Sequence, residues 1–336
     1  MTAPFLSIRN LGVTFTGGTR PVRAVNDVSL DVAQGEAVAL IGESGSGKSV
    51  TMRAVMRLNP EKRAKLEGQI TVGGRDVMGM NPSELSAFRG AEAAMIFQEP
   101  LLALDPVYTL GDQIAETILR HESISREAAR ARALDLFERV RIPSAKTRLD
   151  SYPHEMSGGM RQRAMIALAL SCNPKLLLAD EPTTALDATV QIQVLLLLRE
   201  LQRDLGLSII FVTHDIGAAV EVADRIAVMY AGQIVEVATT RDLIRNPRHP
   251  YTLGLLKSRA HDAMVKGTRL DAIPGAPPDL AHLPPGCPFA PRCALADDGC
   301  RTSDIAMIPV GEGHGARCLR LDQTAAAMMP SGHAPA

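Results

Sequence analysis

The amino-acid sequence predicts an α/β fold with a mostly parallel central sheet. Four short apolar runs have the composition of strands that are buried on both faces. These runs are residues 36–41, 94–97, 175–179 and 208–213. Two longer segments, residues 126–140 and 189–205, have the length and composition of α-helices. Strands and helices that alternate along a chain are typical of an α/β sheet.

Other segments indicate how the chain is organised. Residues 5–32 and 68–77 carry Gly and Asp between apolar stretches, which predicts antiparallel strands at the edge of the sheet. After about residue 245 Pro and Gly become frequent, so we expect a larger domain, residues 1–245, and a small appended module, residues 246–320. The remaining residues, 321–336, have the composition of a disordered tail.

The bulk composition describes a globular chain with almost no net charge. Of its 336 residues 46% are apolar and 22% are charged, and the formal net charge is −1. No overall field therefore favours nucleic acid. No apolar run approaches the roughly 18 residues of a membrane helix, and the first residues lack the pattern of a signal peptide. We expect a soluble, cytosolic chain that can still dock on a membrane protein.

The segment GESGSGKS, residues 42–49, has the pattern of a phosphate-binding loop (P-loop). It directly follows one predicted strand and precedes a stretch of helix-forming composition, which is the context that such a loop requires. Its glycines let backbone N–H groups surround phosphates, Lys48 adds a cation, and the Ser49 hydroxyl can hold Mg²⁺. An ordinary Gly/Ser turn is the alternative, but the match and its context favour ATP or GTP binding.

Polar residues also follow two other predicted strands. Asp180 and Glu181 end the run KLLLADEP, where Asp180 would reach Mg²⁺ and Glu181 could orient or deprotonate an attacking water. His214 lies just beyond the strand in SIIFVTHD, at the same edge of such a sheet. Each residue alone would more often be structural, and only their combination with the P-loop favours catalysis.

A further motif begins at Ser157 in SYPHEMSGGMRQ and could present a second helix N-terminus to a phosphate. In the order GESGSGKS, FQEP, SGGMRQ, LLLADEPTTALD and FVTHD, the chain resembles the ATP-binding-cassette (ABC) ATPases over about residues 5–245. The resemblance implies a P-loop ABC-type domain with a mixed sheet core, an antiparallel β subdomain and an α-helical subdomain at about residues 91–165.

The resemblance assigns roles to individual residues. Phe15 would stack on adenine, Gln98 would sense Mg²⁺, Asp180 would support Mg²⁺, Glu181 would be the catalytic base, and His214 would contact the γ-phosphate. The residues placed around ATP are Phe15, Gly42, Glu43, Ser44, Gly45, Ser46, Gly47, Lys48, Ser49, Val50 and Gln98. Those assigned to catalysis are Glu181, His214 and Lys48, and those near Mg²⁺ are Ser49, Gln98 and Asp180.

The family also implies a head-to-tail pair of cassettes in which the signature motif of one closes over the ATP of the other. The signature residues are Ser157, Gly158, Gly159, Met160 and Gln162. Met156 and Met160 replace the commoner Leu and Gln of this motif, and Leu186 and Asp187 match the loop that contacts the partner. Hydrolysis would then require a second ATPase subunit, identical or related.

The C-terminal module narrows the resemblance to one subfamily of these ATPases. HPYTLGLLKS at residues 249–258 and the stretch at 270–293 look like the extension of ATPase subunits of oligopeptide, dipeptide and nickel permeases, although Arg259 and Ala260 stand where a Pro is frequent. This implies import of peptides or a related substrate, with two transmembrane permease subunits and an extracytoplasmic binding protein, at the cytoplasmic face of the inner membrane. Residues 97–116 resemble the segment near the membrane partners.

Four cysteines of the module have the spacing C-x5-C-x6-C-x17-C. They are Cys287, Cys293, Cys300 and Cys318. This spacing lacks the C-x2-C pairs of zinc sites, and from the residues alone a metal site and free thiols are about equally favoured. The resemblance, in which members with four such cysteines can carry [4Fe–4S], favours a cluster, with Zn²⁺ as the alternative. Cys172 is expected to be a buried thiol, and His314 a residue of a surface loop or a substitute ligand.

Two other functions compete with import. One is a soluble iron–sulfur ABC-type ATPase with a redox-sensing or nucleic-acid role, and the near-zero net charge and the segment at 97–116 argue against it. The other is a cassette that binds ATP without hydrolysing it. The presence of Lys48, Glu181 and His214 argues against that loss of activity.

Overall fold

The computed structural model describes residues 3–18, 20–184, 186–260 and 273–327 of the chain. In these ranges the strands are β1 (Leu6–Phe15), β2 (Val22–Val32), β3 (Ala37–Ile41), β4 (Ala64–Val72), β5 (Arg75–Asp76), β6 (Ala93–Ile96), β7 (Leu176–Asp180), β8 (Ser208–Thr213), β9 (Arg225–Tyr230), β10 (Gln233–Thr239), β11 (Ile308–Gly311) and β12 (His314–Ala316).

The helices lie between these strands and after them. They are α1 (Lys48–Val55), α2 (Pro82–Ala91), α3 (Pro100–Ala103), α4 (Leu110–His121), α5 (Arg126–Arg139), α6 (Ala145–Arg148), α7 (Gly158–Ala169), α8 (Ala188–Leu205), α9 (Ile216–Val222), α10 (Thr240–Arg245), α11 (Pro250–Ala260), α12 (Asp298–Thr302) and α13 (Leu321–Ala326). Within the described ranges, no helix combines the length and the apolar character that crossing a membrane would require.

The main sheet confirms the predicted α/β fold. Its strand order is β11-β12-β10-β9-β3-β8-β7-β6, and β9, β3, β8, β7 and β6 run parallel. The four predicted apolar strands correspond to β3, β6, β7 and β8 within one residue at each end. Because parallel strands end at the same edge, the segments that follow β3, β7 and β8 are brought together there.

The antiparallel strands form a sheet of their own, which confirms the antiparallel β subdomain that the resemblance implied; they do not lie at the edge of the parallel sheet. The order of the antiparallel sheet is β2-β1-β4-β5, and β1 pairs on one side with β2 and on the other with β4, so both of its edges are used. Its apolar face, including Leu6 and Ile8 of β1, packs with Leu40 of β3 and Met52 of α1 in one core. The two sheets therefore enclose α1.

The two predicted helices are present as α5 and α8. Ser125 begins α5, where its side chain accepts a hydrogen bond from the backbone N–H of Ala128 at 3.1 Å. The Asp187 side chain caps α8 in the same way, because it accepts a hydrogen bond from the backbone N–H of Val190 at 3.0 Å. Gly206, in the left-handed region with φ of 63°, ends α8.

The C-terminal module continues the main sheet through strands that were not predicted. β12 pairs with β10, and Glu236 of β10 is fully buried. Its carboxylate accepts the backbone N–H of Arg248 at 2.7 Å and of His249 at 2.9 Å, and His314 Nε2 donates to it at 2.8 Å. His314 is thus a buried strand residue, and the expectation of a surface loop was wrong. The Glu236 carboxylate therefore links three parts of the chain, namely β10, β12 and the residues that precede α11.

The predicted tail begins with a helix rather than with disorder. α13 covers Leu321–Ala326, and Thr324 is buried where its backbone N–H and its hydroxyl both donate to the carbonyl of Arg320. The remainder of the predicted tail, residues 328–336, lies outside the described residues.

Candidate functional site

The P-loop follows β3 in a backbone conformation that requires glycine. Gly42 has φ of 154°, and a Cβ atom there would lie 2.1 Å from the carbonyl oxygen of Met229. Gly47 has φ of 102°, and its Cβ would lie 2.4 Å from the carbonyl oxygen of Ala24. A side chain at either position would displace the neighbouring backbone, so these two glycines fix the path of the loop.

Lys48 begins α1 and turns its side chain back into the loop. Its ammonium donates to the carbonyl oxygens of Gly42 at 2.8 Å and Glu43 at 2.9 Å, and the residue is 5% exposed. Burial lowers the pKa of Lys48, and the nearby carboxylates of Glu181 and Asp180 oppose that effect. The loop therefore holds a buried cation where phosphate oxygens would bind.

Ser49 and Asp180 meet beside this cation. The Ser49 hydroxyl donates to Asp180 Oδ1 at 2.7 Å, and Asp180, the last residue of β7, is 1% exposed. Burial raises the pKa of Asp180, while the hydrogen bond from Ser49 lowers it. A hydroxyl and a carboxylate in contact supply the hard oxygen ligands that Mg²⁺ prefers.

Glu181 contacts a residue of its own loop and residues from two other segments. Its Oε2 atom accepts hydrogen bonds from Gln98 Nε2 at 3.2 Å and from the Thr184 hydroxyl at 2.9 Å, and His214 Nδ1 lies 3.7 Å away. Its backbone has φ of 46°, which is uncommon for a residue with a side chain. The structure thus brings Gln98, Glu181 and His214 together at the strand ends.

Two cavities flank these residues. One, of about 250 Å³, is lined by Gln98, Glu99 and Asp180 among others. The other, of about 350 Å³, is lined by P-loop residues 43–46 and by residues 277–280 of the C-terminal module. Phe15 is the last residue of β1, is half-buried, and pairs with Val22 of β2. Val22 lines the second cavity, whereas Phe15 is not among the described residues that line this cavity. Val50 is a half-buried residue of α1.

The signature residues lie apart from the P-loop of the same chain. Ser157 caps α7 by accepting a hydrogen bond from the N–H of Met160 at 3.3 Å. In the described part of the chain, no hydrogen bond or ion pair joins residues 157–162 to residues 42–49. Gln162 is buried, and its Nε2 has no hydrogen-bond partner there.

The signature instead packs on the loop predicted to contact a partner. A Cβ atom at Gly158 would lie 3.5 Å from Leu186, and one at Gly159 would lie 2.8 Å from Val190 of α8. Leu186 directly precedes Asp187, the residue that caps α8. The two motifs predicted to reach a second subunit therefore form one continuous surface of this chain.

The four cysteines of the C-terminal module line one small, largely apolar cavity. Cys300 and Cys318 are buried, Cys287 and Cys293 are half-buried, and all four are free thiols. Burial raises the pKa of Cys287 and Cys293, and that of Cys318 to about 12. Across the described residues, no group of three or more His, Cys, Asp or Glu side chains has the geometry to hold a metal ion. Cys172 is also buried and lies outside this cavity.

Two donors on the same cavity lack partners. His249 is 1% exposed, and burial lowers its pKa to about 4, so the ring is neutral at neutral pH. Its Nδ1 accepts the backbone N–H of Tyr251 at 3.1 Å, which leaves the proton on Nε2. In the described residues neither His249 Nε2 nor Arg320 Nε has a hydrogen-bond partner, although both are buried. These two donors and the four sulfur atoms thus line one cavity, in which the thiols do not form a metal-binding group.

Sequence reasoning missed a contact between the module and the P-loop. Arg292 forms a two-pronged ion pair with Glu43, with nitrogen–oxygen distances of 2.7 and 3.1 Å. Tyr251 accepts the backbone N–H of Glu43 at 2.8 Å. Arg292 is separated from Glu43 by 249 positions, so no local pattern links them. The only signal was an arginine inside the cysteine-rich segment.

Comparisons with known proteins agree with this geometry. Residues 25–184 match the family described as ABC transporter, and residues 235–300 match the oligopeptide/dipeptide transporter, C-terminal region. The dipeptide transport ATP-binding protein DppD of Bacillus subtilis strain 168 is 46% identical over 332 residues, which cover 98% of each chain. The oligopeptide transport ATP-binding protein OppD of Mycobacterium tuberculosis is 47% identical over 321 residues, which cover 95% of this chain and 52% of that one.

Solved structures are similar in fold. The dimeric structure of MJ0796, a bacterial ABC transporter cassette, has a TM-score of 0.63 and 28% identity, and the match covers 70% of this chain and 99% of that one. The same cassette in a dimeric post-hydrolysis state, bound to ADP and Pi, matches to the same extent. Motifs, geometry and similarity together show that the chain belongs to the ATP-hydrolysing subunits of the ABC transporter family, in the group that carries the oligopeptide/dipeptide transporter C-terminal region.

Proposed function

We propose that this chain hydrolyses ATP to energise import of peptides, or of a related substrate, through a membrane ABC transporter. The observation that carries the proposal is the meeting of Ser49, Asp180, Glu181 and Gln98 around the buried Lys48. The names of the relatives, which refer to dipeptide and oligopeptide transport, support the substrate class. They favour import over a soluble iron–sulfur ATPase with a redox-sensing or nucleic-acid role.

We assign the roles at the site from this geometry. Lys48 and the backbone N–H groups of the P-loop bind the phosphates, and Ser49 and Asp180 hold Mg²⁺, which neutralises charge on the phosphates when bound. Glu181 orients the attacking water and accepts its proton. His214, beside Glu181, contacts the γ-phosphate. Gln98 links the Mg²⁺ side of the site to the helices that follow β6.

The site is completed by a second ATPase subunit. We infer that the signature residues of one chain face the P-loop of the other, and the support is that the similar cassette MJ0796 is dimeric in its solved structures. Leu186 and Asp187 lie beside the signature and contact the partner chain. The nucleotide-binding domain is then residues 1–245, with a helical subdomain at about 91–165, and the extension is residues 246–320.

An exposed apolar face supports docking on the permease subunits. Phe97, Val107 and Tyr108 are 40%, 69% and 56% exposed, and all three lie in the segment that follows β6. Three large, exposed apolar side chains in one segment are candidates for a protein interface. We place the two transmembrane subunits on this face, with the ATPase peripheral to the cytoplasmic side of the membrane and the binding protein on the other side.

We also propose that Cys287, Cys293, Cys300 and Cys318 hold a [4Fe–4S] cluster, with Zn²⁺ as the alternative. The support is that all four thiols line one cavity together with the unpartnered donors of His249 and Arg320. Ligation would require the four side chains to move, because the thiols do not already form a metal-binding group. A cluster bound there would keep its cysteines as thiolates against the raised pKa of Cys287, Cys293 and Cys318.

Reconstitution tests the proposed transport. The chain would be coexpressed with candidate permease and ATPase subunits encoded beside it, and the complex placed in proteoliposomes with the purified binding protein. We expect peptide-loaded binding protein to stimulate ATP hydrolysis and ATP-dependent peptide uptake, and a Glu181→Gln complex to show neither. Copurification with nucleic-acid enzymes and without membrane subunits would contradict the proposal.

A further inference from the structure

The C-terminal module binds both the side chain and the backbone of Glu43, the second residue of the P-loop. The guanidinium of Arg292 pairs with the two carboxylate oxygens of Glu43, and the Tyr251 hydroxyl receives the Glu43 N–H. The Arg292 side chain is 6% exposed and that of Glu43 is 26% exposed. This pair is therefore shielded from solvent, unlike an ordinary surface ion pair.

Arg292 is fixed in place by groups of the module and of the cassette. It donates to the carbonyl oxygen of Pro274 at 2.8 Å and lies 5.9 Å from the ring centroids of both Tyr230 and Phe289. Tyr230 also packs against Tyr251, with ring centroids 4.6 Å apart. A planar cation held by carbonyls and aromatic faces is preorganised for a carboxylate.

The charge of Glu43 matters because of its position. It belongs to the loop that would surround the phosphates, and its carboxylate is near enough to act on the charge of Lys48. An unpaired carboxylate here would repel a triphosphate and attract the Lys48 ammonium away from it. Arg292 offsets that charge, so that Lys48 remains available to the nucleotide.

We propose that Arg292 is a positioning residue of the ATP site, which neutralises Glu43 and so sets the affinity of the P-loop for nucleotide. The extension then contributes directly to nucleotide binding by the ATPase domain. The inference rests on the proposed assignment of residues 42–49 as the ATP-binding loop. It concerns binding of the nucleotide, and leaves the chemical step at Glu181 unchanged.

The test compares nucleotide affinity in the full-length chain and its variants. Arg292→Gln removes the charge while keeping a polar side chain of similar reach. We expect the Kd for MgATP, measured by titration, and the KM for ATP to rise about tenfold, with kcat within about twofold of wild type. Arg292→Lys, which keeps the charge but not the two-pronged geometry, should restore part of the affinity.

A second-site change separates neutralisation from a structural role. Adding Glu43→Gln to Arg292→Gln removes the repulsive charge, so the double variant should recover most of the lost affinity. Arg317→Gln is the matched control, since Arg317 joins the module to Asp27 through an ion pair at 2.6 Å and does not bond to the P-loop. It should leave the Kd unchanged. The melting temperature of each variant shows whether it is folded.

The outcomes distinguish the inference from the function on which it rests. A wild-type chain that fails to bind MgATP would refute the proposed ATP site. If wild type binds but Arg292→Gln does not weaken binding, or if Glu43→Gln fails to restore it, the inference is wrong. If Arg292→Gln does not fold, the single variant Glu43→Gln decides. Neutralisation requires its Kd for MgATP to fall, because Arg292 is then an uncompensated cation beside the loop, and a rise in Kd would overturn the inference.

Discussion

At the scale of single residues, the site depends on how Glu181 is held. Gln98 and Thr184 both donate to its Oε2 atom, so the carboxylate has a fixed orientation before any water is bound. Gln98 follows β6 and Thr184 follows β7, so the position of the proposed base is set by the ends of two parallel strands. A carboxylate held in this way is preorganised for that proposed role.

Glu181→Gln tests this role. The amide keeps the size of the side chain but cannot accept a proton from water, so kcat for ATP hydrolysis should fall at least about a hundredfold while the Kd for MgATP stays within about threefold. Glu99→Gln is the control, because Glu99 lines the cavity beside Gln98 and Asp180 and, in the described residues, has no hydrogen bond to Glu181. Undiminished hydrolysis in Glu181→Gln, measured by phosphate release, would show that another group is the base.

Lys48→Ala removes the buried cation of the P-loop. We expect hydrolysis to become undetectable, because no other ammonium lies against the loop carbonyls in the described residues, and transition-state charge on the phosphoryl group loses its nearest cation. Lys65→Ala serves as the comparison, since Lys65 is a largely exposed residue of β4 that pairs with Glu67. Equal rates in the two variants, measured by phosphate release, would contradict the assignment of Lys48.

At the scale of elements, the sequence predicted those strands and helices that have a clear local pattern. The buried strands β3, β7 and β8 each contain at least four consecutive apolar residues, and α5 and α8 have capping residues at their N-termini. The strands β11 and β12 were missed because they are short and carry Pro309, Gly311 and Gly315 instead of an apolar alternation. What fixes them is pairing with β10 and the distant contact of His314 with Glu236.

The Glu236 junction therefore contributes to the stability of the module. Glu236→Ala would leave two backbone N–H groups and His314 without their buried acceptor, and we expect a loss of about 3 kcal/mol in the free energy of unfolding. Glu312→Ala removes an exposed carboxylate from the β11–β12 turn and should change it by less than about 0.5 kcal/mol. Urea denaturation measures both values. Equal stability of the two variants would show that the junction contributes little.

At the scale of the whole molecule, the motif order was sufficient to predict the cassette but not its connection to the extension. The P-loop, Asp180, Glu181 and His214 could be placed at one sheet edge because each follows a parallel strand. The contacts of Arg292 and Tyr251 with Glu43 join segments more than 200 positions apart, and only the folded chain shows them. His249 and Tyr251 lie two residues apart, so one short segment contacts both the cysteine cavity and the P-loop.

The cysteine cavity gives the last prediction. Cys287, Cys293 and Cys300 come from one segment and Cys318 from another, so a bound cluster would tie together parts of the extension that have little apolar core of their own. Protein purified without oxygen should contain about four irons per chain, and Cys318→Ser should lose the iron, its visible absorbance and several degrees of melting temperature. Cys172→Ser, which changes the thiol outside the cavity, should retain all three. Stoichiometric zinc without iron would show that the site binds Zn²⁺ and not a cluster. Wild-type protein without either metal would show that the four cysteines are free thiols.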